Sequence, residues 1–319
     1  MVTFLQLIVG FAVLIKGADW LVEGASSLAK RLKVSDLVIG LTVVAFGTST
    51  PELFVNIFAS FKGTTDIAIG NILGSNIFNI FFILGVSVLI APIKVTHNTI
   101  WKEIPFSLLA AVMVLVLAND RMIDHGAFSV LSRIDGITLL AFFLVFMAYI
   151  LAISKDYAPP LEERLIVQGG VIKLIGFVVA GLLCLILGGK LIVDSAVSIA
   201  RTLGVSEALI GLTIVAAGTS LPELATSAVA AQKKNSDIAI GNIVGSNIFN
   251  IFFILGISAV IKPLPFGSGA NFDVLITILA SVVLFVSLFI GKRKQLTRLD
   301  GIIFLAIYFA YLWFIIRRG

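Results

Sequence analysis

Residues 66–85 read DIAIGNILGSNIFNIFFILG and residues 237–256 read DIAIGNIVGSNIFNIFFILG, so the two segments differ at a single position. A second pair repeats with the same offset of 171 residues: 39–53 reads IGLTVVAFGTSTPEL and 210–224 reads IGLTIVAAGTSLPEL. Two long matches at one offset indicate an internal duplication, and the period is far too long for a solenoid.

The composition around these repeats is that of a chain in lipid. Of the 319 residues, 59% are hydrophobic and 13% are charged, and the mean hydropathy is +1.12. A soluble domain has about 25% charged residues. Apolar runs close to twenty residues long predict transmembrane helices, whereas a β-barrel would show short alternating segments. The N-terminal run lacks the basic region and cleavage site of a signal peptide and is predicted to be the first span.

The apolar runs predict an all-α membrane protein with ten transmembrane helices as two inverted five-helix repeats. Because five is odd, the second repeat enters the membrane from the opposite side, an arrangement common in secondary transporters. The first repeat comprises residues 1–153, a short cytoplasmic linker comprises 154–170, and the second repeat comprises 171–319. The predicted spans are 2–24, 36–60, 67–91, 101–118, 136–153, 171–195, 207–231, 238–261, 272–290 and 301–316.

The loop charges predict the orientation of these spans. Short cytoplasmic loops are enriched in Lys and Arg. On one side lie fourteen basic residues, and on the other lie seven, so both termini are predicted to face outward. The net charge of the chain is +5, and because its basic residues lie mainly in short loops, they are interpreted as an orientation signal and not as a nucleic-acid surface. The fourteen are Lys30, Arg31, Lys33, Lys94, Lys102, Lys155, Arg164, Lys173, Lys233, Lys234, Lys292, Arg293, Lys294 and Arg298; the seven are Lys62, Arg121, Arg133, Arg201, Lys262, Arg317 and Arg318.

Two carboxylates, Glu52 and Glu223, fall in mid-span by this count. A charge at that depth costs several kcal/mol and marks a functional site unless the group is neutralised. Gly47 and Pro51 precede Glu52, and proline removes one helical hydrogen bond, so a broken helix with exposed carbonyls is predicted there. The second copy, GTSLPEL, has Gly218 and Pro222 before Glu223, so the same break is predicted there. The alternative is a protonated structural residue in each copy.

Polar side chains at helical spacing accompany the two carboxylates. Every one of them offers oxygen and none offers sulfur, which suits sodium, calcium or magnesium; flexible mixed ligands favour calcium. Cys184 is the only cysteine, so neither a disulfide nor a cysteine metal site is expected. Single Ser or Asn residues can equally serve helix packing, the interpretation favoured for Asn76 and Asn247. Glu23 and Asp194 are interpreted as interfacial, with a role in ion entry as the alternative. The stripes are Ser49, Glu52, Asn56; Asn71, Ser75, Asn79; Ser220, Glu223, Ser227; and Asn242, Ser246, Asn250.

GTSTPEL with GNILGSNIFNI, and GTSLPEL with GNIVGSNIFNI, resemble the two alpha-repeats of the cation/calcium exchanger superfamily, and the chain as a whole is most similar to prokaryotic sodium/calcium exchangers. The resemblance implies a plasma-membrane antiporter that exchanges several sodium ions for one calcium ion, electrogenically and by alternating access. Calcium and sodium would be its substrates, the lipid bilayer its surroundings, and no cofactor or obligatory protein partner would be needed. Spans one and six would form the moving pair.

The resemblance also implies the ion ligands. Thr48, Thr219, Ala45 and Ala216 would act largely through backbone carbonyls. The full set is Ala45, Thr48, Ser49, Glu52, Ser75, Asn79, Ala216, Thr219, Ser220, Glu223, Ser246 and Asn250.

Several alternatives stay open. The neutral Asn79 and Asn250 argue against potassium coupling, and the neutral neighbours of Asn71 and Asn242 argue against proton coupling, yet a proton- or potassium-coupled antiporter of calcium or another divalent cation is the main alternative. A channel would use the same oxygen-lined path without a counter-ion. A membrane-embedded enzyme would need an HExxH-like motif or a Ser/Lys pair, and neither is evident.

Overall fold

The computed structural model describes residues 2–123, 125, 128–155, 170–204, 216–290 and 294–318, and nearly all of them are helical. Among the described residues, four segments are π-helical, a form that is rare and concentrated at functional sites. They are Gly40–Val44, Phe78–Leu84, Thr99–Glu103 and Phe249–Leu255. The α-helices are Val2–Leu32, Asp36–Ile39, Ala45–Thr48, Thr50–Lys62, Thr65–Ile77, Gly85–Ile90, Ile104–Leu117, Asp120–Ile123, Arg133–Lys155, Val171–Thr202, Ala216–Gly218, Leu221–Gln232, Ser236–Ile248, Gly256–Ile261, Ser268–Ser287 and Arg298–Arg318.

Eight helices in the described part of the chain are long and apolar enough to cross a bilayer, and the bent pair Asp36–Thr48 and Thr50–Lys62 adds a ninth. The predicted span 207–231 begins outside the described residues, and within it the structure describes Ala216–Gly218 and Leu221–Gln232. Most of the predicted linker 154–170 also lies outside them.

Two helices are longer than the sequence predicted. The spans predicted at 2–24 and 171–195 extend through Val2–Leu32 and Val171–Thr202. Hydropathy marks where a helix leaves the lipid, but the backbone stays helical until a turn ends it. The first helix ends before Lys33, whose φ is 59°, and the second ends before Gly204, whose φ is 77°. Left-handed residues of this kind commonly terminate helices.

Four two-residue strands accompany the helices in the described part of the chain, which is otherwise in keeping with the predicted all-α class. Strands β1 (Ile93–Lys94) and β4 (Gln295–Leu296) pair antiparallel, and so do β2 (Val130–Leu131) and β3 (Leu264–Pro265). Each pair joins a connection in the first half of the chain to one in the second half. The two pairs therefore fasten the halves together at loops that carry no apolar signal.

The helices that carry the longest repeated segments lie at the centre of the molecule. Of the most apolar window in Thr65–Ile90, 78% is buried, and in Ser236–Ile261 the figure is 83%; in Arg298–Arg317 it is 11%. Each central helix packs against the last helix of the other half. A methyl group at Gly136 would lie 2.7 Å from the Gly256 carbonyl oxygen, so only glycine permits this approach.

The two longest helices also touch backbone to backbone. A Cβ atom at Gly188 would lie 2.6 Å from the Leu14 amide nitrogen, which is far inside van der Waals contact. Small residues at a crossing permit such close packing of membrane helices. Val2–Leu32 and Val171–Thr202 therefore form one continuous pair, which flanks the buried centre.

Candidate functional site

The helix of the first half breaks where the sequence places Gly47 and Pro51. Ser49 has φ −81° and ψ 7°, so it leaves the helical path between Ala45–Thr48 and Thr50–Lys62. The segments Asp36–Thr48 and Thr50–Lys62 meet at 47°. Glu52 lies in the first turn of the second segment, where the helix dipole favours a negative charge. The break thus places a carboxylate at a new helix N-terminus inside the protein.

The second half contains the same break. Ser220 has φ −91° and ψ 10°, Leu221–Gln232 begins directly after it, and Glu223 lies in the first turn. Glu52 and Glu223 are each only 1% exposed. No Lys or Arg among the described residues forms an ion pair with either carboxylate.

Hydroxyl groups from each half bind the carboxylate of the other half. Ser49 Oγ donates to Glu223 Oε1 at 2.9 Å, and Ser220 Oγ donates to Glu52 Oε1, also at 2.9 Å. Ser220 Oγ also lies 3.2 Å from Ser75 Oγ. Because both bonds cross between the halves and match at the repeat offset, the two broken helices meet at one centre.

Two asparagines lie on the first turn of π-helical segments that pack against the helices carrying Glu52 and Glu223. Asn79 is the second residue of Phe78–Leu84, and Asn250 is the second residue of Phe249–Leu255. Each is 1% exposed. Their amide nitrogens donate to Asn247 Oδ1 and Asn76 Oδ1, both at 2.9 Å. These bonds use the amide nitrogens of Asn79 and Asn250 and leave the two side-chain oxygens available to another partner.

Among the buried acceptor oxygens without a hydrogen-bond partner in the described residues, four belong to these carboxylates and asparagines: Glu52 Oε2, Glu223 Oε2, Asn79 Oδ1 and Asn250 Oδ1. The buried Ser246 hydroxyl shares this property. An acceptor left unpaired in the interior costs about 1–3 kcal/mol, and a charged one costs more. A cation would satisfy carboxylate and amide oxygens together, and such oxygens are the ligands of hard cations. The arrangement can therefore hold a cation.

The remaining predicted ligands surround this centre in different ways. Thr48 Oγ1 donates to Asn242 Oδ1 at 3.0 Å, so its hydroxyl is engaged in a contact between the halves. The Ala45 carbonyl accepts from the Ser49 amide at 3.0 Å and from Thr48 Oγ1 at 3.3 Å. Ala216 begins Ala216–Gly218. All twelve ligand assignments stay predictions.

A cavity of about 200 Å³ approaches the second break from the side of Val171–Thr202. Thr219 and Pro222 line it together with Pro51 of the first half. Lys190 and Asp194 of the long helix form its opposite wall. The sequence alone suggested a role in ion entry for Asp194 but gave no sign of a cavity.

The hydrogen-bonding role of Asn76 and Asn247 is the feature that sequence reasoning missed. Their interpretation as helix-packing residues agrees with the Asn76 Nδ2 bond to the Asn247 carbonyl at 3.1 Å. The residues they bind, however, are the predicted ligands Asn79 and Asn250. The shared GSNIFN segment could have revealed this, since both asparagines recur in both copies.

Comparison with known proteins decides the family. Residues 2–152 and 173–317 match the family described as sodium/calcium exchanger protein. The chain belongs to this family. Among its relatives, the protein named "Putative antiporter CaxA" of Alkalimonas amylolytica is 37% identical over 98% of both chains. Sodium/calcium exchanger MaX1 of Methanosarcina acetivorans is 34% identical over 98% of this chain and 97% of its own.

Solved structures agree with the sequence relatives. The sodium-calcium exchanger NCX_Mj soaked with zero sodium and calcium superimposes with a TM-score of 0.83, at 34% identity over 98% of this chain and 99% of that one. This exchanger-family chain is therefore a multi-pass membrane protein of the bacterial and archaeal type and a cation antiporter. It is a transporter and not an enzyme.

Proposed function

We propose that this chain is a secondary active antiporter that exchanges sodium for calcium, electrogenically and by alternating access, across the plasma membrane of a prokaryote. The observation that carries the proposal is the set of four unpaired buried oxygens, two from each half of the chain. Their charge of −2, if both carboxylates are ionised, equals that of one calcium ion. The predicted ligands, from Ala45 to Asn250, are the proposed coordination set.

Competition at one centre explains why transport would be an exchange. A carboxylate pair without a cation is unpaired charge in a medium of low dielectric constant, which is strongly unfavourable. The empty protein should therefore change conformation slowly, whereas calcium or sodium removes the penalty. The protein would change conformation in one direction with calcium bound and return with sodium bound.

The proposed architecture is ten spans as two inverted repeats, with both termini outside. The reciprocal Ser49–Glu223 and Ser220–Glu52 bonds support the two-fold relation. On this orientation the cavity beside Thr219 opens outward, and the Lys233–Asp19 ion pair of 2.5 Å lies on the cytoplasmic side of the site.

The test of the exchange is calcium uptake by proteoliposomes loaded with sodium and diluted into choline buffer. We expect uptake that requires internal sodium, that accelerates under an inside-positive potential, and that disappears in Glu52→Gln. Uptake independent of sodium would reject this coupling, and imposed proton and potassium gradients would then identify the coupling ion. Uptake that persists in Glu52→Gln would show that the transport site does not depend on Glu52.

Labelling tests the orientation. In a Cys184→Ser background, Lys62→Cys and Lys233→Cys place single thiols at repeat-equivalent helix ends. In intact cells we expect an impermeant maleimide to label only the cysteine at position 62. Labelling of position 233 alone would reverse the proposed orientation, and labelling of both would reject the inverted arrangement.

A further inference from the structure

Asn250 carries one of the four unpaired oxygens, and an amide can present either of two atoms to an ion. With its oxygen toward the site, Asn250 is a ligand; turned by 180°, it would present the N–H₂ group, whose positive hydrogens repel a cation. Both orientations have the same shape. Something outside the ion site must therefore select between them.

The neighbouring Asn76 makes that selection through a chain of hydrogen bonds. Asn76 Nδ2 donates to the Asn247 backbone carbonyl at 3.1 Å, and a carbonyl can only accept. Asn76 must therefore keep its nitrogen on that carbonyl and its oxygen on the other side. Asn76 Oδ1 then accepts from Asn250 Nδ2 at 2.9 Å, which turns Asn250 Oδ1 away from Asn76 and leaves it without a hydrogen-bond partner among the described residues.

The surroundings make this chain rigid. Asn76, Asn247 and Asn250 are each 1% exposed, so water cannot replace a lost partner at low cost. Asn247 Oδ1 accepts from Asn79 Nδ2 at 2.9 Å, which gives the ligand of the other half the same orientation. For Asn76 the chain ends on a backbone atom whose polarity no side-chain rotation can change.

We infer that Asn76 and Asn247 are positioning residues that select cations by fixing the amide oxygens of Asn250 and Asn79 toward the ions. They touch no ion themselves. This inference deepens the proposed function and rests on it. Outer-shell partners of this kind typically change metal affinity about 10- to 100-fold when they are removed.

The test uses a ligand that needs no orientation. In Asn250→Asp, both terminal atoms are oxygens, so Asn76 has nothing to select. We expect Asn76→Ala to raise the calcium concentration for half-maximal uptake about 10- to 100-fold in the otherwise natural protein. In the Asn250→Asp background, Asn76 Oδ1 would face a carboxylate oxygen instead of an N–H group. There we expect the same substitution to leave this calcium concentration unchanged or to lower it.

The calcium-induced rise in Tm of the purified protein should show the same dependence on background, without any transport. Asn71→Ala is the matched control, because Asn71 lies on the same helix as Asn76, and its Nδ2 donates to Asn56 Oδ1 at 2.8 Å and not to Asn79 or Asn250. Its effect should be equal in both backgrounds. Asn247→Ala with and without Asn79→Asp repeats the experiment in the other half and replaces it if Asn76→Ala does not fold.

An equal loss for Asn76→Ala in both backgrounds would show a merely structural role and overturn the inference, as would unchanged affinity in the natural background. These outcomes differ from failure of the proposed function. If Glu52→Gln abolishes sodium-dependent uptake while the Asn76 effects are additive, only the positioning role is wrong.

Discussion

The two long helices, Val2–Leu32 and Val171–Thr202, occupy related places in the duplicated chain but meet the centre differently. On the first, Asp19 pairs with Lys233 at 2.5 Å and with Lys16 at 2.9 Å. The repeat-related position on the second is Lys190, which lines the 200 Å³ cavity. One approach is thus bridged by an ion pair, and the other is open.

The contrast with the centre is instructive. Where the halves meet, Ser49 and Ser220 bind opposite carboxylates at the same distance of 2.9 Å, and the central segments are almost identical. At the approaches, an acid in one half is replaced by a base in the other. The duplication has stayed symmetric at the proposed ion site and has diverged at the approaches to it.

The largest effect should come from the symmetric centre. Glu223→Gln and Glu52→Gln each remove one buried charge from the site. Breaking a buried charge pairing costs about 3–5 kcal/mol, so each should lower calcium affinity by more than about 100-fold. Calcium binding to purified protein measures this. If one variant bound calcium normally, the two halves would not contribute equally to the site.

A smaller effect should follow from crowding the long-helix pair. Gly188→Val would place a side chain 2.6 Å from the Leu14 amide, and overpacking of this kind costs about 1–3 kcal/mol. We expect a lower Tm in detergent. Gly176→Val on the same helix is the control, since a Cβ there meets nothing within 4 Å. Equal losses in both variants would contradict the close contact.

The smallest effect should come from the asymmetric ion pair. Lys233 and Asp19 are about one-third exposed, and such pairs contribute up to about 1 kcal/mol. We expect Lys233→Gln to lower the population of the conformation in which the cavity is open. Maleimide labelling of Val193→Cys, in the cavity wall, should therefore slow by up to about fivefold. Lys62→Gln is the repeat-equivalent control, because no described residue forms an ion pair with Lys62. Equal slowing in the two variants would show that the asymmetry has another source.

The sequence sufficed for the features that depend on local pattern. The duplication, the membrane class and the family follow from repeated motifs and apolar runs. The break at Ser49 was predictable because proline and glycine act on the backbone within one turn. Glu52 and Glu223 were identifiable because an acid is costly wherever the surrounding run is apolar.

The rest depended on contacts between distant segments. The orientation of Asn250 is fixed by Asn76, which is 174 residues away along the chain. The strand pairs join connections that carry no apolar signal, so no pattern in the sequence predicted these strands. The ends of the long helices were missed because hydropathy reports the lipid boundary and not the residue at which the backbone turns.

The reciprocal serine–glutamate bonds have a consequence for how such a protein could arise. Neither copy of the motif can complete its own centre, because the hydroxyl that binds Glu52 belongs to the other copy, and the same holds for Glu223. A gene encoding one copy could build this centre only by pairing two products in opposite orientations. Fusion of two such genes would make this pairing permanent. Every later mutation near the centre would then affect the contacts of both copies.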